Sequence, residues 1–171
     1  PYQPAEYERV MLPMTVLRRF DSVLAPTKQE VLAKYEQSKN RLQDDDLESM
    51  LNKAAGQRFH NRSELTWEKL KADPYNIAHN FVSYINGFSK NVQDIFEYFD
   101  FAAEIEKMNQ EKILYLVISK FGDIDLSPNS VDNRVMGLLF EDLIRRSFEA
   151  ANKNAGEYFT PPEIIRLMVE I

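Results

Sequence analysis

Apolar residues recur at intervals of three and four along nearly the whole chain, the spacing that sets them on one side of an α-helix. The first such run covers residues 5–24, with Tyr7, Val10, Met11, Met14, Leu17 and Phe20 along one side. Pro13 lies inside it and predicts a kink, because proline lacks the amide that the turn before it would use. Arg18 and Arg19, near its end, read as a solvated face that also suits the negative end of the helix dipole. Pro26 and Thr27 stop the pattern and cap a second helix over about 28–39, in which Val31, Leu32 and Tyr35 repeat at helical spacing.

The third helix follows Asp44, Asp45 and Asp46, three acids in a first turn, where the dipole favours them; metal binding is the less ordinary reading. Leu47, Met50, Leu51 and Ala54 form its apolar side and Gly56 closes it. Residues 57–62 are the most basic loop-like piece and read as solvated, beside a buried Trp67 on a short helix starting at Ser63. Asp73 and Pro74 open a helix bearing Ile77, Phe81, Tyr84 and Ile85 and ending at Gly87. Ser89 or Asn91 caps the next, with Val92, Ile95, Phe96 and Phe99 in register. Ile105 and Met108 mark another helix, and Ile113, Leu114, Leu116, Val117 and Phe121 a strongly buried one. After a turn-rich link at 122–129, with Pro128 suited to a helix start, the longest helix covers about 130–151. It presents Val131, Val135, Leu138, Leu139, Leu143 and Phe148. Gly137 within it costs about 1 kcal/mol against alanine, which close backbone packing would offset.

The C-terminal stretch changes register. Gly156 reads as a helix stop, Thr160 as the cap of a new helix, Pro161 as its first residue and Glu163 as the partner that completes a capping box. Phe159 and Ile164 flank the cap, and Ile164, Ile165, Met168 and Ile171 then share one face. Local physics is satisfied by a well-capped helix alone. Two prolines remove amides that a phosphate cradle needs, whereas a threonine hydroxyl with one or two amides suits a single small acceptor such as a carboxylate. Tyr158 and Phe159 could cover an apolar or planar ligand surface.

Composition narrows the class. The chain has 171 residues, 44% hydrophobic and 12% aromatic, enough for a core in one domain with a fragment of a second. Five glycines and few alternating stretches argue for an all-α bundle. With no cysteine there is neither a disulfide frame nor a thiolate metal site, and an intracellular, cytoplasmic setting is expected. No apolar stretch approaches the roughly 20 residues that span a bilayer, and the start, with Glu6, is unlike a signal peptide. A net charge of −6 opposes general nucleic-acid binding, so any DNA contact is local. His60 and His79 are too far apart in sequence to argue for a metal. Glu141 and Asp142 have nothing beside them that completes an acid-base site and read as surface or interhelix contacts.

Gly156-Glu-Tyr-Phe-Thr-Pro-Pro-Glu163 resembles the segment that opens the methyltransferase domain in modification subunits of type I restriction-modification systems. The resemblance extends to Gly137-Leu-Leu-Phe-Glu141 with Leu143-Ile144, and to Leu12-Pro13-Met14 with Leu17-Arg18-Arg19. It implies an adenine-N6 DNA methyltransferase using S-adenosylmethionine (SAM), with Glu157, Tyr158, Phe159, Thr160, Pro161 and Pro162 at the cofactor. It also implies DNA, a specificity subunit, a second modification subunit and a restriction subunit as partners. The family's Asp-Pro-x-x-Gly-Ser-Gly and catalytic Asn-Pro-Pro-Phe/Tyr motifs do not occur among these residues, so the chain alone is expected to be inactive. The organisation expected is a helical bundle over 1–154 and the start of a methyltransferase domain over 155–171. A helical interaction module, or the front half of a fused restriction-modification enzyme, are the other readings.

Overall fold

The computed structural model describes residues 4–152, with the backbone alone for 4–6, 8, 147, 148 and 150–152. Among these, nine α-helices follow one another: α1 Pro4–Leu24, α2 Lys28–Ser38, α3 Asp44–Ala55, α4 Trp67–Ala72, α5 Ile77–Asn86, α6 Lys90–Tyr98, α7 Phe101–Gln110, α8 Leu114–Gly122 and α9 Asn133–Asn152. Short 3-10 turns, Ala25–Thr27 and Pro74–Asn76, precede α2 and α5. The expected all-α bundle is what forms. The readings of Gly156, of the Thr160 cap with Glu163, of the Phe159–Ile164 pair and of the Ile164, Ile165, Met168 and Ile171 face lie outside the described residues, as does the side chain of Phe148.

The bundle is built around α1. It packs most extensively on α9 and also meets α7 and α8, while α2 and α3 form a hairpin and α4 lies on α8. Such a helix must be apolar on more than one side, and Val10, Leu12, Met14, Val16, Leu17, Phe20, Val23 and Leu24 are all buried. Tyr7 and Met11, assigned to the buried side from spacing, are instead 52% and 39% exposed. The helix continues through Pro13.

Aromatic rings carry the core from α1 outward. Phe20 lies 4.5 Å from Phe59, Tyr84 5.4 Å from Phe88, and Trp67 6.1 Å from Phe81, which lies 6.3 Å from Phe101. Trp67 is 1% exposed and its indole N–H donates to the Ile118 carbonyl at 2.8 Å, so the single tryptophan pins α4 to α8.

Several local signals act as expected. Asp44, Asp45 and Asp46 form the first turn of α3, and Gly56 closes it in the left-handed conformation at φ 65°. Asp73 caps the turn before α5 by accepting from the Asn76 amide. Other boundaries move. Helix α4 starts at Trp67, not Ser63: Thr66 Oγ1 accepts from the Lys69 amide, whereas Ser63 Oγ serves a local turn by accepting from the Leu65 amide. Thr27 does not cap α2 with its side chain and donates instead to the Leu24 and Ala55 carbonyls. Pro128 sits in a turn, so α9 begins at Asn133, where the Asp132 carboxylate accepts from the Val135 amide.

The phase of α9 differs in part from the expectation. Leu143 is buried and Val131 and Leu139 pack partly buried against the core, as expected, but Met136 and Phe140 take buried positions while Val135 and Leu138 are 52% and 59% exposed. Helix α8 likewise leaves Leu116 57% exposed. Among the described residues nothing lies within 4 Å of a Cβ placed on Gly137, so no close backbone contact among them explains that glycine.

Candidate functional site

The cofactor-proximal run Glu157, Tyr158, Phe159, Thr160, Pro161 and Pro162 lies outside the described residues. What the fold shows is how the chain is held on its way there, and two arginines of α1 do it. Arg19 is 0% exposed; one guanidinium nitrogen donates to the Leu126 carbonyl at 2.6 Å and the Val131 carbonyl at 2.9 Å, the other to Asn133 Oδ1 at 2.7 Å. Burial pushes its pKa below the usual arginine value and the nearby Asp132 opposes that, so the group stays a cation. Beside it, Arg18 Nε donates to the carbonyls of Phe121 at 3.2 Å and Ile124 at 3.0 Å. Carbonyls at the end of α8 have no partner within their own helix, and a cation there answers both the hydrogen-bond deficit and the dipole. The Arg18 guanidinium also lies 5.5 Å from the Trp67 ring centre and bonds Asp21 at 2.8 Å.

Both arginines therefore overturn the solvated-face reading. Their backbone acceptors lie more than 100 residues away in sequence, which spacing cannot reveal. One signal was available: an arginine inside a helix that is apolar nearly all round is buried with it, and needs oxygens brought by other elements.

Asp21 extends the network inward. Tyr84 donates its hydroxyl to Asp21 at 2.6 Å; burial raises the Asp21 pKa, opposed by that hydrogen bond and by Arg18. Tyr84 is pushed well above the usual tyrosine value, first by burial and then by the Asp21 charge. Across the Tyr84 ring, Lys28 Nζ donates to Asn61 O and Oδ1 at 3.3 and 3.2 Å, and burial lowers its pKa to about 8.

The 57–62 piece, expected to be a solvated basic loop, is instead an internal brace. Phe59, His60 and Asn61 are 1%, 0% and 3% exposed. The His60 and Ser89 backbones pair, with Ser89 N donating to His60 O at 3.0 Å, and Arg62 N donates to Gly87 O at 2.7 Å. His60 Nδ1 is 2.8 Å from Asn52 Oδ1; Nε2 has no hydrogen bond and lies 3.7 Å from Glu48. Burial, with the charges of Arg62 and Lys28, lowers the His60 pKa to about 4. The imidazole is thus neutral near pH 7, and its approach to Glu48 is not an ion pair.

Chemically this arrangement positions structure. The donors of Arg18, Arg19 and Lys28 that reach a partner reach oxygens of this chain, most of them backbone carbonyls. Among the described residues, no group of three His, Asp or Glu side chains converges as a metal site, and no helix is long and apolar enough to cross a membrane. Surface cations alternate with acids, as in Lys34–Glu30, Lys39–Glu36, Lys71–Asp123 and Lys90–Asp94. Asp142 belongs to the same surface pattern, accepting from Arg145 and Arg146. An open cavity of about 240 Å³ between α5, α6 and α7 has an apolar floor including Ile85, Phe96 and Ile105, but Glu97 and Asp100 line it too and would repel a phosphate.

Residues 2–121 match the family model described as HsdM N-terminal domain, and residues 131–171 match the model described as N-6 DNA Methylase. The first match spans most of the chain, which belongs to the HsdM N-terminal domain family and corresponds to the N-terminal part of a type I restriction-modification modification subunit. No curated protein and no solved structure matches the chain. The nine residues between the two matches, 122–130, supply three of the carbonyls that Arg18 and Arg19 hold, those of Gly122, Ile124 and Leu126.

Proposed function

We propose that this chain forms the front of a SAM-dependent adenine-N6 DNA methyltransferase: a helical domain that meets DNA and partner subunits, followed by one wall of the cofactor cleft. The observation that carries this reading is the serial order of the two family matches with the arginine-held link between them. A methyltransferase whose cofactor wall begins a few residues after α9 gains from a link that cannot swing, because misplacing reacting groups by about 1 Å costs roughly 100-fold in rate.

In this reading Glu157 to Pro162 lie against SAM. Thr160 and the few free amides near it would hold a small acceptor such as the methionine carboxylate, and Tyr158 and Phe159 would cover an apolar or planar surface. The methyl donor supplies the transferred group, and the target adenine is flipped from the duplex before transfer. With a net charge of −6 and several surface cations paired to acids, DNA is read chiefly by a separate specificity subunit. A second copy of the modification subunit and, for cleavage, a restriction subunit complete the assembly, in the cytoplasm. The domain boundary falls near residue 154, after α9.

The test is SAM affinity in the full-length subunit. Thr160→Ala weakens SAM binding by about 1 kcal/mol or more by calorimetric titration, the scale of one buried hydrogen bond, while Thr160→Ser binds nearly as the parent does. Equal SAM affinity of the two variants, with different melting temperatures, would reduce Thr160 to a helix cap and remove the cofactor wall.

A further inference from the structure

The open cavity of about 240 Å³ between α5, α6 and α7 joins an apolar floor to charge of one sign. Ile85, Phe96, Phe101 and Ile105 form the floor and are buried, and Val82 extends it outward at 38% exposure. Glu97 and Asp100 stand on the wall, three positions apart where α6 turns into α7, and among the described residues no lysine, arginine or histidine lines the cavity. Neither carboxylate is spent within the fold. Asp100 begins α7 with a left-handed backbone, φ 48°, yet its side chain does not cap the helix and makes no hydrogen bond or ion pair among the described residues. Glu97 has among them only Lys90, 4.0 Å away, and that ammonium lies closer to Asp94, at 2.5 Å. Gln93, also on the wall, is already used: its amide donates to the Asn86 and Phe88 carbonyls at 3.0 and 2.6 Å.

Those properties select the occupant. An anion is repelled by both carboxylates, and a neutral apolar group gains nothing from them. Size excludes more. Sites for free small molecules run from about 300 Å³ upward and enclose most of the ligand, whereas this cavity is smaller and open to solvent. A side chain carried on another protein's surface needs no such enclosure, because the contacts around it exclude water from the rim.

We propose that this cavity docks a partner protein through one apolar side chain flanked by lysine or arginine, with the apolar group on the Ile85, Phe96, Phe101 and Ile105 floor and the cations against Glu97 and Asp100. The inference rests on the partner-binding part of the proposed function, gives that contact a place on the fold, and is independent of the cofactor wall.

The test is an NMR titration of the 171-residue chain, labelled at isoleucine and valine methyl groups, with the blocked peptide Lys-Lys-Leu-Lys-Lys as probe. The expected result is saturable movement of the Val82, Ile85 and Ile105 signals, weakened by added salt. Replacing the peptide's leucine by glycine, or its lysines by glutamates, abolishes those shifts. The double variant Glu97→Gln with Asp100→Asn binds the peptide at least about fivefold more weakly, the scale of two exposed ion pairs. Asparagine is chosen because it too adopts the left-handed backbone. Glu30→Gln with Glu36→Gln, the same change of charge on α2, leaves the affinity unchanged, which separates a local site from the overall negative charge. The peptide series uses the unaltered protein, so it decides even where a variant fails to fold. Benzylammonium ion binding as tightly as the peptide at the same signals would give the cavity to a free amine. Shifts that follow protein concentration without peptide would give it to a second copy. Either outcome overturns the proposal, as do equal shifts with the glutamate peptide, no movement of these signals, or unchanged affinity in the folded Glu97→Gln, Asp100→Asn variant.

Discussion

Arg19 Nη2 donates to Asn133 Oδ1 at 2.7 Å, joining the central helix to the first residue of α9 across 114 positions of sequence. The same guanidinium holds the Leu126 and Val131 carbonyls, so one buried cation fixes both the link and the helix it feeds. Removing it leaves three oxygens without this donor, two of them backbone carbonyls that no side-chain change can remove.

Arg19→Met is therefore expected to lower stability by about 3 kcal/mol, the scale of losing several charge-assisted bonds at a buried site, measured as a shift in urea midpoint. Arg145→Met, which removes two exposed ion pairs of α9, leaves the midpoint nearly in place. If the two variants behave alike, Arg19 is not the clamp described.

These residues also mark what the sequence conveys. Signals contained within a few positions are legible: the acidic first turn at Asp44 to Asp46, the left-handed Gly56, the burial of Trp67 among amphipathic helices. Arg18 and Arg19 were not, because their acceptors come from an irregular link whose carbonyls have no identity in sequence. Helix α9 was misphased for another reason. Val135 and Leu138 stand at as good a helical spacing as Met136 and Phe140, and only the presence of α1 on one side decides which pair is inner. The 57–62 piece carries two arginines and a histidine, and local charge concealed that its backbone pairs with 87–89 through the Asn61–Phe88 bridge. The cofactor-proximal reading of Glu157 to Pro162 rests on resemblance, on a motif of consecutive positions, and lies outside the described residues.

His60 predicts an acid sensitivity above the range of the carboxylates. Its folded pKa of about 4 lies below the ordinary 6.5, so as pH falls through 6.5 the unfolded chain takes up a proton that the folded chain refuses. Stability is then lost progressively between about 6.5 and 4, by about 2 kcal/mol at pH 5 relative to pH 7. Asp21, whose pKa is raised by burial, works the opposite way as it protonates and offsets part of the loss. Denaturation of the parent and of His60→Gln at pH 7 and pH 5 checks this: the drop should be smaller in the variant. Equal drops would mean that the imidazole does not resist protonation in the fold.

Two glycines should respond to alanine with opposite signs. A Cβ on Gly87 would lie 2.5 Å from Ser63 Cβ and 2.8 Å from both Asn61 Oδ1 and Ser63 N. Those atoms belong to the brace whose backbone bonds run from Arg62 to Gly87 and from Ser89 to His60, so the clash cannot be relieved by turning one flexible side chain. Gly87→Ala is expected to cost about 2 kcal/mol or more, within the range of overpacking a filled site. Gly137 stands inside α9 with nothing among the described residues within 4 Å of its would-be Cβ, and alanine there removes backbone freedom from the unfolded chain without a clash among them. Gly137→Ala should raise stability by about 0.5–1 kcal/mol. Thermal melts of the two variants beside the parent decide the matter. A destabilised Gly137→Ala would show that the backbone of α9 is approached closely at that position after all, and a neutral Gly87→Ala would show that the 57–62 brace gives way more readily than its hydrogen bonds imply.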